Sequence, residues 1–219
     1  DFYNGLMALA GKYKVDVIGG DTVSSPDRIY VSITMLGEVE KNKYLLRSGA
    51  KAGDLILVTG ELGGAVVELK AKIMNSKSKK NLKFSSKLLR PQPRVKEGQF
   101  IAESGFATAM IDNSDGLSTS VNLLCKNSNV GANIYEYYIP KAKNATLDMA
   151  LNGGEDFELI FTCKREKAEE LAYNIRRKAN IRVSIIGEIT DKKHGIKIID
   201  SKGSKRELEI KGFEHLNDK

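Results

Sequence analysis

From residue 55 to residue 200 the chain alternates short apolar runs of strand character with stretches of helical periodicity. That alternation restricts the fold more than any other feature of its 219 residues. Residues 55–59 (LILVT) read as a strand, 60–64 as a glycine-rich turn and 65–74 as a helix. The pattern returns at 108–111, a strand, followed by an acidic turn at 112–116 and a helix at 117–126 with Leu117, Val121 and Leu124 on one face. Further strands are expected at 132–135, 157–163, 183–188 and 196–200, and a helix at 165–178. Strands and helices taking turns in this way predict a layered α/β or α+β domain, a mixed β-sheet covered by helices, from about residue 50 onward. No repeat is visible at periods of about 20 to 50 residues, which excludes a solenoid.

Upstream of that domain the pattern changes. Leu6, Leu9, Ala10 and Tyr13 recur at helical spacing, and VDVIGG at 15–20 reads as a short strand ending in paired glycines. After a turn at Ser24, Ser25, Pro26 and Asp27, Ile29, Val31, Ile33 and Met35 alternate with their neighbours in the period of a second strand. The charged run 38–43 reads as a linker. The chain enters its first helix directly from Asp1 without an initiator Met, and reads as a fragment whose N-terminal part lies upstream.

The chain carries 35 Lys plus Arg against 28 Asp plus Glu, a formal charge of +7. Residues 70–96 hold ten of the basic residues and no acidic one, so the rest of the chain is mildly acidic. A uniformly basic nucleic-acid coat is thereby excluded. No apolar run approaches the roughly 18 residues that cross a bilayer, and the N-terminus lacks the pattern of a signal peptide, so a cytoplasmic setting is expected. Cys125 and Cys163 stand in apolar surroundings without CxxC spacing and read as buried thiols. His194 and His215 lie in polar surroundings and read as surface residues.

The chemistry concentrates on three acidic turns flanked by glycine, each at or beside a strand end: Gly19-Gly20-Asp21-Thr22, Asp112-Asn113-Ser114-Asp115-Gly116 and Gly153-Gly154-Glu155-Asp156. Carboxylates on tight turns are hard oxygen ligands suited to Mg²⁺, and glycine lets a ligand approach the backbone. Together the three suggest a metal-dependent phosphate site, although Asp and Gly also serve simply as turn residues. In the middle turn Asp112 and Asp115 are candidates to share an ion, and Ser114 and Asp115 are placed to cap the following helix. An EF-hand fails there, because loop position 6 is Leu117 and position 12 is Leu123. The Gly60-Glu61-Leu62-Gly63-Gly64 turn matches neither phosphate-loop spacing and reads as a structural strand-to-helix turn. Arg47, in RSGA, is either a solvated linker charge or a bidentate phosphate ligand.

Taken together, IGGDT (18–22), LLRSGAKAGD (45–54), VTGELGGA (58–65), LRPQPRV (89–95), IDNSDGL (111–117), LNGGEDFELIFT (151–162) and KGFEHL (211–216) resemble the thiamine-monophosphate kinases, part of the superfamily typified by aminoimidazole ribonucleotide synthetase. The resemblance covers nearly the whole chain. It implies that residues 1–37 end an N-terminal ATP- and metal-binding domain, that 38–49 link it onward, and that 50–219 form the C-terminal α/β domain of that fold. It places Gly20 and Asp21 at ATP and its Mg²⁺, and Arg47 and Ser114 at ATP. Asp112 and Asp115 would hold Mg²⁺, and Glu155 and Phe213 would meet thiamine monophosphate. An aromatic at Phe213 suits a flat cationic heterocycle, although Glu214 and Leu216 depart from the family's terminal motif.

The implied reaction is ATP-dependent phosphorylation of thiamine monophosphate to thiamine diphosphate, with several Mg²⁺ ions, ATP as co-substrate and homodimerisation through the N-terminal domain. No protein base is expected, because a phosphomonoester with a second pKa of about 6 is already a nucleophilic dianion at neutral pH. Neither nucleic acid nor membrane is an expected partner. Two other readings remain open at this level: another ATP-dependent enzyme of the superfamily, such as a purine-pathway synthetase or a maturation factor, and a module that binds RNA or an acidic partner through 70–96.

Overall fold

A computed structural model describes residues 1–76 and 87–212, and divides the chain into two compact units, Asp1–Glu38 and Val39–Lys219. Within the basic run, residues 75–84 read from their polarity as a lysine-rich loop between helices; they fall largely outside the described residues, and 75 and 76 end a helix.

In the first unit α1 (Phe2–Tyr13) forms where the apolar spacing places it. Lys14, in the left-handed conformation, closes it by donating its backbone N–H to the carbonyls of Ala10 and Gly11. The Tyr3 hydroxyl meets Thr22 Oγ1 at 2.8 Å, and the Asp21 carboxylate accepts the Thr22 N–H at 2.8 Å. The two strands expected at 15–20 and 29–36 do not form. An alternating pattern specifies the faces of a strand, but a ladder needs a neighbour, and none is paired to these residues; Ile18 and Ile29 are about nine-tenths exposed at 88% and 91%.

The second unit is built on a seven-stranded mixed sheet: β1 (Leu55–Thr59), β2 (Ala107–Asn113), β3 (Val130–Tyr135), β4 (Glu158–Cys163), β5 (Val183–Asp191), β6 (Ile196–Ile199) and β7 (Lys205–Glu207). The spatial order is β2-β4-β1-β5-β3-β6-β7, antiparallel throughout except for the β3–β6 pair. Among the described residues the α-helices between strands are α2 (Gly64–Ser76), α3 (Val95–Glu103), α4 (Leu117–Ser128), α5 (Leu147–Asn152) and α6 (Ala168–Ala179).

Cores on both faces explain why the central strands read as continuous apolar runs. Ile56, Val58 and Ile160 pack with Leu117, Val121 and Leu124 of α4 and with Ala150 and Leu151 of α5. Leu57 and Phe161 pack the other way, against Ile101 of α3 and Leu171 and Ile175 of α6. Cys125 and Cys163 are free, buried thiols, as their surroundings suggested. No helix among the described residues is long and apolar enough to cross a membrane.

Two features of this sheet place the chemistry. Strands β2 and β4 pair with Asn113 opposite Glu158 and Asp112 opposite Leu159, so the end of β2 and the start of β4 meet at one edge. Segment 46–50 lies beside β2: the Met110 N–H donates to the Leu46 carbonyl at 2.9 Å. Ser128 Oγ, at the end of α4, accepts from the Ala50 N–H and donates to the Arg47 carbonyl, both at 3.2 Å.

Candidate active site

Asp112 is the penultimate residue of β2, one step inside the strand instead of in the turn, and its side chain is exposed. Ser114 and Asp115 follow in a tight connection to α4. The expected capping does not occur. The N-cap is Gly116, at φ 101°, and no side chain caps the helix. Glycine is required there: a Cβ would press on the backbone of Leu151 and Asn152 at about 3 Å, and the positive φ disfavours any other residue. With the cap position given to glycine, the Ser114 and Asp115 side chains are not spent on the helix end.

The third acidic turn is bonded directly to the second. Glu155 donates its backbone N–H to the Ser114 carbonyl at 2.8 Å, and Phe157 donates to the Asn113 carbonyl at 3.2 Å. A side chain at Gly154 would overlap the Ser114 carbonyl, so glycine permits the approach. Glu155, forty residues beyond Asp115 in sequence, thereby neighbours Ser114 and Asp115, with Asp112 on the adjoining strand. Gly212 packs closely against the Asp115 carbonyl and Thr119, beside the same loop; Phe213 lies outside the described residues. Gly20 and Asp21 are exposed in the first unit. Arg47 is exposed in the second, on the segment that Ser128 holds.

Two acids of the same run do something the sequence did not announce. Asp156 is buried, and its carboxylate accepts the N–H groups of Gly63 at 2.5 Å and Ala65 at 3.1 Å. The glycine turn at the start of α2 therefore does bind an anion, and that anion is the chain's own carboxylate, which agrees with a structural role for the turn. Burial pushes the Asp156 carboxyl above its ordinary range, partly opposed by those two N–H donors. Glu158 is fully buried and accepts from Thr59 Oγ1 at 2.8 Å, from Arg94 Nε and Nη2 at 2.8 Å each, and from Lys87 Nζ at 3.5 Å. Lys87 also donates to the Glu61 carbonyl at 2.6 Å. Two basic residues of the 70–96 run are thus committed to an internal carboxylate. The available signal was three acids in four residues ahead of a strand, facing a basic RPQPR segment.

The donor chemistry suits Mg²⁺. Asp112, at the end of β2, and Asp115, in the connection that follows, offer hard carboxylate oxygens, and Mg²⁺ is usually held by one or two carboxylates, with water and phosphate completing its shell. Among the described residues no group of three or more acidic, His or Cys side chains is placed to hold a metal ion.

Residues 51–200 match the family model described as AIR synthase related protein, C-terminal domain. The thiamine-monophosphate kinase of Buchnera aphidicola subsp. Schizaphis graminum is 36% identical over 227 residues, covering 98% of this chain and 68% of that protein. The thiamine-monophosphate kinase of Bacillus subtilis is 34% identical over 225 residues, with coverages of 98% and 68%. The solved structure of AaThiL complexed with AMPPCP and TMP superposes with a TM-score of 0.73 at 24% identity, covering 98% of this chain and 67% of that one, a likeness of fold. The chain spans about two thirds of the length of these relatives.

Proposed function

The chain belongs to the thiamine-monophosphate kinase family, and from that membership we propose that the full-length protein transfers the γ-phosphoryl group of ATP to the phosphate of thiamine monophosphate. The bond from the γ-phosphorus to the β,γ-bridging oxygen of ATP breaks, and a new one forms to a phosphate oxygen of the acceptor. The products are ADP and thiamine diphosphate. The observation that carries this reading is the hydrogen bond from the Glu155 N–H to the Ser114 carbonyl, which joins the turn assigned to the acceptor to the turn assigned to ATP and metal. AaThiL, which shares the fold, holds AMPPCP and TMP.

In this reading Arg47 and Ser114 bind ATP phosphates, Glu155 and Phe213 bind the acceptor, and Asp112 and Asp115 hold Mg²⁺. Gly20 and Asp21 contribute to nucleotide and metal on family grounds. Mg²⁺ supplies neutralisation of the charge that gathers on two approaching polyphosphates. The chain's own residues orient: the bridge between Ser128 and Arg47 fixes the RSGA segment, and the backbone bonds of Glu155 and Phe157 fix the acceptor turn. The acceptor phosphate is already a dianion near pH 7, so the site needs position and charge complementarity rather than a proton acceptor. Residues 1–37 belong to the N-terminal ATP- and metal-binding domain in this proposal, which includes a homodimer, a cytoplasmic setting and no turnover by the 219-residue chain alone.

A panel of acceptors given to the full-length protein with ATP tests the substrate. Conversion of thiamine monophosphate to thiamine diphosphate supports the proposal; turnover of an aminoimidazole precursor with none of thiamine monophosphate overturns it.

A further inference from the structure

Two non-glycine residues of the GGEDFEL run have backbones that L side chains rarely adopt: Glu155 at φ 69° and Phe157 at φ 50°. Such conformations persist only where the surroundings over-determine them. The residue after each is a buried acid with a committed partner: Asp156 on the N–H groups of Gly63 and Ala65, Glu158 on Arg94, Lys87 and Thr59. The Arg94 contact is the directional one, because a guanidinium fork meeting both carboxylate oxygens fixes the plane and position of the carboxyl group. Room is kept for that carboxylate, since a side chain at Gly60 would occupy its place. Glu158 is bonded to Phe157 in the chain and stands opposite Asn113, whose carbonyl takes the Phe157 N–H. Displacing the Glu158 carboxylate therefore pulls on the strained residues that present Glu155.

We propose that Arg94 and Glu158 are positioning residues for the acceptor side of the site: their bidentate pair holds Glu155 and Phe157 in their left-handed conformations, and with them the placement of Glu155 beside Ser114. The proposal rests on the reading of Glu155 as an acceptor contact, and it assigns the RPQPR segment a role in substrate binding without direct contact to substrate. Asp156 anchors the same turn from its other side and is expected to act in the same sense.

The test has two readouts. In the full-length protein Arg94→Gln raises KM for thiamine monophosphate about tenfold or more and leaves KM for ATP within about twofold, while Arg94→Lys, which keeps the charge without the fork, recovers part of the loss. In the 219-residue chain, Arg94→Gln speeds amide hydrogen exchange at Glu155 and Phe157 and leaves exchange at Ile111 and Ile160 unchanged. Unchanged exchange at Glu155 and Phe157 overturns the proposal, as do equal shifts in both KM values or a selective gain in exchange with no change in KM for thiamine monophosphate. If the full-length protein does not use thiamine monophosphate at all, the functional reading falls, and the exchange measurement alone still decides whether the pair holds the turn.

Discussion

Arg94 grips Glu158 through two parallel hydrogen bonds of 2.8 Å, Nε to Oε2 and Nη2 to Oε1, and so ties the RPQPR segment to the first residue of β4. Glu158 is fully buried and the Arg94 side chain is partly buried, which makes the pair costly to break from the glutamate side. Glu158→Ala removes the acceptor of both guanidinium bonds, leaves Arg94 with Glu97 at 3.7 Å, and is expected to cost about 2–3 kcal/mol in urea unfolding. Replacing both partners by apolar residues, Glu158→Leu with Arg94→Met, is expected to cost less than Glu158→Ala. A double variant less stable than the single one would contradict this.

Asp156 takes the place that a ligand anion occupies in a nucleotide loop. Asp156→Ala deprives the Gly63 and Ala65 N–H groups of their acceptor, at about 1–3 kcal/mol for each donor left unsatisfied. The expected result is a lower thermal midpoint and faster amide exchange at Gly63 and Ala65. Unchanged exchange at both would show that the carboxylate does not hold the turn.

Two glycines with similar backbones separate strain from crowding. Gly60 at φ 63° has the Glu158 carboxylate where a Cβ would go, whereas Gly203 at φ 83° has open space. Gly203→Ala is expected to cost about 1–2 kcal/mol from the left-handed backbone alone. Gly60→Ala is expected to cost on the order of 3 kcal/mol or more, because the buried carboxylate has nowhere to move. Equal costs in denaturant titrations would refute the crowding.

How far the fold could be read beforehand depended on whether local pattern and tertiary pairing agreed. Strand β1 and helix α4 were legible because residues 56–59 and the Leu117, Val121, Leu124 stripe are buried where their periodicity places them. The strand expected at 29–36 has the same local signal but no paired neighbour, so the pattern alone did not produce a strand. Short α5 was missed because a six-residue helix carries too little periodicity, and its only visible mark is the Thr146 cap, whose side chain accepts the Met149 N–H. In the candidate site, the acidic turns that carry Asp112, Ser114, Asp115 and Glu155 stood out as motifs, and the roles proposed for them came from the family resemblance. Asp156 and Glu158 could not be told from them, because what distinguishes these acids is burial and long-range partners 64 to 99 residues away.

The cysteines give a pH dependence of known sign. Burial pushes the Cys125 thiol up to about 12 and is the largest cause raising Cys163 to about 11. A thiol whose folded pKa lies above its unfolded value contributes stability that is fully present below the unfolded pKa and is lost as pH rises toward the folded one. Stability is therefore expected to fall between about pH 9 and pH 12, with Cys125 contributing about 1.4 kcal/mol per pH unit. Cys125→Ala should flatten the decline by that slope; an identical slope in the variant would contradict it. At pH 8 both thiols should react with a thiol reagent only after unfolding.

The most direct measurement is the product formed by the full-length protein from ATP and thiamine monophosphate in the presence of Mg²⁺, resolved by ³¹P NMR, for wild type and for Asp115→Asn. The wild type is expected to yield thiamine diphosphate and ADP in equal amounts. Asp115→Asn, which removes the charge of a proposed metal ligand, is expected to lose turnover by about a hundredfold or more at ordinary Mg²⁺. Absence of thiamine diphosphate from the folded wild type would contradict the assignment. Full turnover by Asp115→Asn would contradict the placing of the metal on the loop that Ser114 shares with Glu155.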